Sequence, residues 1–560
     1  MVERLIDTAL VRPIRSLIRP IGGLHQAAYL LAGLTLASQV LGLVRDRIFA
    51  HQFGASELLD IYYAAFRMPD VVFALVASTV SAYVLIPRIA GSERAEARKL
   101  LSHAASFLLV VSGVLGLVLC FFAPTILFTL FPSFVGSAHA DAFILLSRIL
   151  LIQPILLGLS GVITSVTQVE RRFFLFALAP VFYNLGIILG TVFLYPSMGL
   201  MGIGVGVIGG ATLHLLINVP SVVSAGLFPR LVIPSPKLIW SVVRESVPRS
   251  LALSMGAVVT LALTVLVAKT GEGAIAMYAL AGNLAAVPLA LIGASYATAA
   301  FPVLAEHLGA KRQKEFLEVL TTAARHLIFW STTSSVLIIV LRAHIVRVIF
   351  GSGEFDWEAT RITAAVLAVL VIAITAQGLS LLASRAFYAA GRSWYPLMLQ
   401  VVGAVLSIAG AYGFLYLGTT YPVFRYFVEA LLRTADLPGS LAVLVALGAA
   451  LGQICMGLLT LVTLSTIAQG LGKALIRPTL EGLGAGIVGG AAAYGTLAFM
   501  GSLAALTTLV AVLAQGAIAG MVGLVTAASV LFGLENKEIR TLLASLKGFS
   551  TKALPPQSEL

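Results

Sequence analysis

Six ionisable residues crowd the first two apolar stretches of the chain: Arg45, Asp46 and Arg47 close the run Ser38-Gln39-Val-Leu-Gly-Leu-Val-Arg45-Asp46-Arg47, and Asp60, Arg67 and Asp70 follow, with Pro69 among them to bend the second stretch. A charge near the centre of a bilayer costs about 2.5 to 3.5 kcal/mol, so such side chains snorkel to an interface, pair with one another, or line a polar path. The chemistry open to them is recognition of an anionic headgroup, because guanidinium groups bind phosphate oxygens bidentately in a low-dielectric cavity. Arg45 and Asp46 are adjacent and point about 100° apart on a helix, so contacts to other helices are expected of them more than a direct pair.

Other chemistry finds little support. The eight histidines include no H-E-x-x-H or comparable metal spacing, and no Ser, His and Asp constellation assembles from loops on one side, so an enzyme is not expected and neither is a cofactor. Gly204-Val-Gly206-Val-Ile-Gly209 and Gly484-Ala-Gly486-Ile-Val-Gly489 match a dinucleotide pattern in form, but both lie in apolar helices, where small residues let backbones approach. His214 reads as a hydrogen-bonded packing residue, with proton transfer as its alternative. Asn184, Asn218, Gln153, Gln377, Gln400 and Gln453 read as hydrogen-bond formers between helices. Cys120 and Cys455 are far apart inside apolar stretches and read as packing residues.

The elements that must hold these groups are membrane helices. Hydrophobic residues make up 59% of the 560 and charged ones only 11%, with a mean hydropathy of +1.01; no single soluble core could hide that much apolar surface. Fourteen spans are expected, at 24–52, 61–89, 101–131, 142–168, 174–195, 200–228, 240–268, 274–304, 316–341, 360–390, 394–418, 440–468, 479–500 and 504–533. The fold class is thus an all-α polytopic membrane protein of about 14 transmembrane helices. Of the 36 Lys and Arg, 25 fall on the side of the termini and six in the opposite loops, which places both termini in the cytoplasm. The net charge of +12 is spread among short loops, which argues against nucleic acid as a partner and leaves anionic membrane lipids, with the basic tail of residues 1–23 lying on them. That tail leads into a stretch too long for the core of a cleavable signal peptide, so the first span is expected to stay as an anchor.

An internal repeat recurs about 215 to 220 residues apart: Pro87 and Pro302 each precede a charged loop entering a third helix, and the Arg171-Arg-Phe-Phe run with Pro180 parallels Gly391-Arg-Ser-Trp-Tyr-Pro396 at the start of a fifth. The expected organisation is a basic tail (1–23), two pseudo-symmetric six-helix bundles (24–228 and 240–468), two extra C-terminal helices (479–533) and a cytoplasmic tail (534–560). A parallel repeat of this kind suits a transporter that rocks one half against the other.

These pieces resemble the bacterial lipid II flippase family (MurJ or MviN) of the multidrug, oligosaccharidyl-lipid and polysaccharide exporter superfamily. The resemblance rests on Val40-Leu-Gly-Leu-Val-Arg45-Asp46-Arg47-Ile, Phe53-Gly-Ala followed by Asp60, Phe66-Arg67-Met-Pro69, Ile86-Pro87, Ile349-Phe-Gly-Ser-Gly353-Glu-Phe355, and Arg385-Ala-Phe-Tyr-Ala-Ala-Gly391-Arg with Pro396. It implies export of a polyprenyl-diphosphate-linked sugar from the inner to the outer leaflet through a cavity lined by spans 1, 2, 7 and 8, with cell-wall synthesis enzymes as possible partners. It gives Arg45 and Asp46 the role of headgroup recognition. The chain departs from the family pattern at Gln39 and Asn283, where the family carries arginines, and over Asp70 to Ser78, where it carries an arginine and a later glutamate. The substrate-binding set expected is therefore Gln39, Arg45, Asp46, Arg47, Asp60, Arg67, Asp70 and Asn283. Readings left open are a flippase for another polyprenyl-linked glycan, a cation-coupled drug exporter, and a non-transporting lipid-binding scaffold.

Overall fold

The computed structural model describes residues 24–76, 80, 82–435, 437–501 and 508–540, and every regular element among them is helical. The chain divides into two compact units: residues up to Ala276 together with Gly353–Phe355, and Met277–Ser352 together with the chain from Asp356 onward.

The first unit holds α1 (Leu24–Phe53), α2 (Glu57–Ala65), α3 (Arg67–Val76), α4 (Ala82–Ala90), α5 (Arg94–Leu130), α6 (Ala140–Leu150), α7 (Gln153–Val169), α8 (Phe173–Leu189), α9 (Tyr195–Met198), α10 (Leu200–Leu216), α11 (Val219–Ser224) and α12 (Pro236–Val267). The second expected span is not one bent helix. It breaks into α2, α3 and α4: α2 ends at Ala65 with Phe66 as its cap, four residues before Pro69, whose missing N–H cannot bond the Ala65 carbonyl, and helical bonding resumes with the Asp70 N–H on the Phe66 carbonyl at 2.9 Å. Ser78 lies outside the described residues. By contrast α5 runs unbroken for 37 residues, about 55 Å at 1.5 Å per residue, against a hydrocarbon core of about 30 Å. Its first turns, bearing Arg94, Glu96, Arg98 and Lys99, therefore stand clear of the lipid tails.

Helices α8 and α10 meet backbone to backbone. Gly186 lies against Gly210, and a Cβ on Gly206 would sit 2.6 Å from the Cα of Gly190, just past the end of α8. The spacing that matters is the i, i+4 series Gly202, Gly206 and Gly210. Of the three glycines in the sequence pattern only Gly206 joins this seam, while Gly204 faces Leu146 and Gly209 faces open space. Across neighbouring helices Ser160 bonds His214 Nδ1 at 2.8 Å and Gln153 donates to the Tyr183 hydroxyl at 2.9 Å. Asn218 does not bridge helices as expected: its amide donates to the His214 carbonyl at 3.2 Å, closing the end of its own helix, since a four-residue step brings the two together there.

The second unit holds most of α13 (Ala274–Pro288), then α14 (Ser295–Gly309), α15 (Gln313–Phe350), α16 (Trp357–Ile372), α17 (Ile374–Ala389), α18 (Trp394–Thr420), α19 (Pro422–Leu432), α20 (Ala442–Leu464), α21 (Leu471–Met500) and α22 (Leu509–Gly533). Leu304, Phe316, Leu320, Leu327, Leu382 and Phe387 form a buried core among α14, α15 and α17. Gly410 and Gly448 repeat the glycine contact between α18 and α20, where Gln453 donates to Ser407 Oγ at 3.0 Å. Gly489 lies against the Gly523 carbonyl between α21 and α22, and Arg325 on α15 reaches Glu538 at 2.7 Å.

Among the described residues, eleven helices are long and apolar enough to cross a membrane, or twelve when α16 and α17, bent by 43°, count as one span. Fourteen were expected. The first two expected spans, at α1 and at α2 to α4, are not among the twelve, and each of the latter three pieces has at most 10 residues.

Candidate polar site in the first unit

Helix α1 presents Arg45 and Asp46 some two turns before its C-terminal end. The guanidinium does turn back on its neighbour: Nε and Nη2 donate to the same Asp46 carboxylate oxygen at 3.0 and 2.8 Å. The direct pair, expected less than contacts to other helices, is therefore made. A backbone separation of about 100° is spanned by the long arginine side chain, and Asp46, 1% exposed, gains a charged partner it could not find in lipid. The expected contact to another helix is also made, since Nη1 donates to Asn184 Oδ1 on α8 at 3.0 Å. The Asn184 amide in turn points at Ser38 Oγ, 3.4 Å away and seven residues before Arg45 on the same face of α1.

A second pair stands on α3. Arg67 Nη1 lies 3.3 Å from Asp70, and its Nε donates to the Tyr63 carbonyl at 3.1 Å. Tyr62 joins the two pairs into one cluster: its hydroxyl is within electrostatic reach of Arg45, Asp46, Arg67 and Asp70, and its ring packs edge-on against Phe49 of α1 with centroids 4.6 Å apart. Tyr183 on α8 lies within reach of Arg45, Asp70 and Tyr62. Two buried polar atoms here have no hydrogen-bond partner, the Tyr63 hydroxyl and Gln153 Oε1. An unsatisfied buried polar group costs about 1 to 3 kcal/mol, which a bound polar ligand or water would offset.

Two ion pairs thus stand in this unit, Arg45–Asp46 with Asn184 on its guanidinium and Arg67–Asp70 with the Tyr63 carbonyl on its own, and Tyr62 lies within electrostatic reach of both. The tyrosines were missed, although the Tyr62-Tyr63 pair, one turn before Arg67 in an otherwise aliphatic segment, was the available signal. Arg47 is half-buried on α1, Gln39 is exposed on the same helix, and Asn283 is half-buried in the second unit on α13.

Asp60 has a different occupation. It is 2% exposed, and its two oxygens accept from the backbone N–H groups of Gly273 at 2.8 Å and Ala276 at 2.7 Å, fastening the turn that opens α13. Gly273 itself takes a positive φ of 73°, against the Ala55 carbonyl. Asp60→Ala would leave both N–H groups buried without acceptors, a loss of about 2 to 5 kcal/mol. The thermal unfolding midpoint of the purified variant should fall by several degrees, with Asp60→Asn intermediate because one acceptor oxygen survives; unchanged midpoints in both would remove this role from Asp60.

The arithmetic of the Arg45 guanidinium decides what the cluster can do. Of its five N–H donors, two go to Asp46 and one to Asn184. One donor on each Nη remains, and the side chain keeps 19% of its surface exposed. Two oxygens of a tetrahedral anion can be met there without breaking the pair. The four charges sum to zero, so the empty cluster is held without a net buried charge, and an incoming dianion would be the uncompensated species.

The sequence model described as "Lipid II flippase MurJ" matches residues 49–424. A Burkholderia cenocepacia protein named lipid II flippase MurJ is 26% identical over 384 residues, covering 65% of this chain and 73% of that protein. Among solved structures, a lipid II flippase MurJ in an inward closed conformation superposes with a TM-score of 0.71 at 20% identity, covering 91% of this chain and all of that one. An inward-facing multidrug resistance MATE family transporter of the MOP superfamily follows with a TM-score of 0.62 at 17% identity, over 80% of this chain and 99% of that one. A family match over residues 49–424 takes in every member of the polar cluster except Ser38, Arg45 and Asp46, which stand just before it on the same helix, and the chain belongs to the lipid II flippase MurJ family.

Proposed function

We propose that this protein is a lipid II flippase, carrying the lipid-linked cell-wall precursor from the inner to the outer leaflet of the bacterial cytoplasmic membrane by alternating access, with both termini in the cytoplasm. The observation that carries this reading is the Arg45–Asp46–Asn184 constellation, a charge-neutral polar site on apolar helices whose guanidinium retains two unspent donors. The diphosphate of the precursor meets those donors; of the two atoms buried without partners, the Tyr63 hydroxyl can donate to it and Gln153 Oε1 can accept from a hydroxyl of its sugar. The activity asked of the chain is movement, not bond-making.

The drive follows from the charge count. Because the empty site is neutral, the loaded site carries the anion's charge, and moving negative charge outward across an inside-negative membrane is favourable by about 2.3 kcal/mol per charge per 100 mV. The emptied, neutral site returns without working against the field. Labelled lipid II in vesicles holding the purified chain should cross the bilayer faster than in protein-free vesicles, and faster again, by about tenfold or more per charge, when a potential of about 100 mV negative on the cytoplasmic face is imposed. Movement no faster than in protein-free vesicles, with the chain folded, would sink the reading. Movement of another polyprenyl-diphosphate-linked glycan but not of lipid II would transfer the role to that substrate, a result compatible with Gln39 and Asn283 standing where the family carries arginines.

A further inference from the structure

Between Gly226 and the start of α12, residues 227–235 form no helix. They lie as a strap across α5. The Arg230 N–H donates to Ser102 Oγ at 2.9 Å and the Val232 N–H to Ser106 Oγ at 3.0 Å, one helical turn further on, while the Ser235 N–H donates to His103 Nδ1 at 3.1 Å and Arg98 Nε to the Phe228 carbonyl at 3.2 Å. Because alternate residues face α5 through their backbones, the side chains between them are turned outward. Leu231 is 79% exposed and Ile233 91%, and Trp240, in the next turn, is 64% exposed. Bare aliphatic side chains on a strap this firmly bonded would be a persistent cost in water and none in the outer part of a lipid layer, where a tryptophan also settles.

Beside the strap, where α4 ends and α5 and α12 begin, lies a cavity of about 700 Å³ lined by Arg88, Ser92, Glu96, Lys99, Lys237 and Ser241 among others. It holds three cations against one acid. Arg88 is fixed by bonds from its guanidinium to Ser241 Oγ at 2.9 Å and to the Ser241 carbonyl at 3.2 Å. Lys99 and Lys237 are exposed and enter no ion pair among the described residues. The first turn of α12, a helix of 32 residues, adds its positive end to the same wall. Each element carries charged residues here and apolar ones further along, so the cavity sits at the water–lipid boundary.

We propose that this cavity and strap form a binding site for an anionic phospholipid, with the headgroup phosphate between Lys99, Lys237 and Arg88 and the acyl chains against Leu231, Ile233 and Trp240. The site shares no residue with the Arg45 cluster, and its ligand is resident membrane lipid, not cargo. Neither half of the surface accounts for the other's chemistry unless one molecule carries both a phosphate and hydrocarbon.

The test uses the full chain with Trp330, Trp357 and Trp394 replaced by Phe, leaving Trp240 as the fluorophore, in vesicles containing either dibrominated phosphatidylglycerol or dibrominated phosphatidylcholine at matched fractions. Trp240 should be quenched at a roughly 25-fold lower fraction of the anionic lipid, each of the two lysines contributing about fivefold. The double variant Lys99→Gln, Lys237→Gln should quench equally with both lipids, and Lys311→Gln, Lys314→Gln should keep the preference, which separates the cavity from the general pull of a basic chain. Inorganic phosphate at millimolar concentration should leave the quenching intact. Equal quenching by the two lipids, absence of quenching, a preference that survives loss of Lys99 and Lys237, or relief of quenching by inorganic phosphate would each overturn the proposal.

Discussion

Replacement of Arg45 by alanine should lower lipid II movement by at least about a hundredfold, the largest functional loss expected of a single side chain here. The variant removes the two unspent donors and also leaves Asp46, 1% exposed, as a buried carboxylate without its guanidinium. Stranding one member of a buried pair costs about 3 to 5 kcal/mol, so a simple loss of fold could mimic a loss of function. The double variant Arg45→Ala, Asp46→Asn separates the two. With no charge to strand it should recover most of the unfolding midpoint in detergent, yet it should remain inactive, because nothing is left to grip the diphosphate. Arg45→Lys should fall between, since an ammonium keeps the charge but not the planar fork that holds Asp46, Asn184 and an anion together. A double variant that is stable and flips lipid II at the wild-type rate would exclude Arg45 from headgroup recognition.

The largest stability effect should come from a glycine. In Gly206→Leu a branched side chain would have to occupy the space where the Gly190 Cα and the Gly186 carbonyl now lie, at 2.6 and 2.7 Å from the new Cβ. Backbone cannot yield as a side-chain tip can, so α8 and α10 would have to part along their length, at well over the 1 to 3 kcal/mol typical of overpacking. Little folded protein should be recovered from membranes. Gly209→Ala, in the same helix and the same apolar setting but facing open space, should be neutral or slightly stabilising, as alanine usually is in place of a helical glycine. Equal yields and midpoints for the two variants would show that the seam contributes nothing.

Most of the helical layout was legible from hydropathy alone, because spans such as α5, α10 and α22 are uninterrupted apolar runs whose ends are marked by charge, Gly or Pro. The second span was not. Residues 61–89 read as one span bent at Pro69, whereas they divide into α2, α3 and α4: the break before Pro69 follows from its missing N–H, but periodicity carries no signal for the further division into α3 and α4. At the site, charge in an apolar setting singled out Arg45, Asp46, Arg67 and Asp70, which form two ion pairs. Asp60 carried the same signal for another reason, as an acceptor for two backbone N–H groups more than 200 residues away in sequence, a partnership no local pattern encodes. Tyr62, Tyr63 and Tyr183 escaped because a tyrosine in a membrane helix reads as an interfacial anchor until its neighbours are known. The Arg45–Asp46 pair was discounted by helical geometry that considers Cβ directions and neglects the length of the arginine arm.

The glycine seam also limits how the first unit can deform. Side-chain interfaces between helices can slip, because rotamers readjust as one surface slides over the other. The α8–α10 contact has no such lubricant: a slide of one residue, about 1.5 Å, would drive the side chains flanking Gly186 and Gly190 into the backbone of α10. These two helices therefore travel as one plank. Whatever rearrangement carries cargo across the membrane must find its joints elsewhere, at places where the chain has already interrupted its helices, and Asn184, mounted on that plank, holds its end of the Arg45 bond at a fixed station.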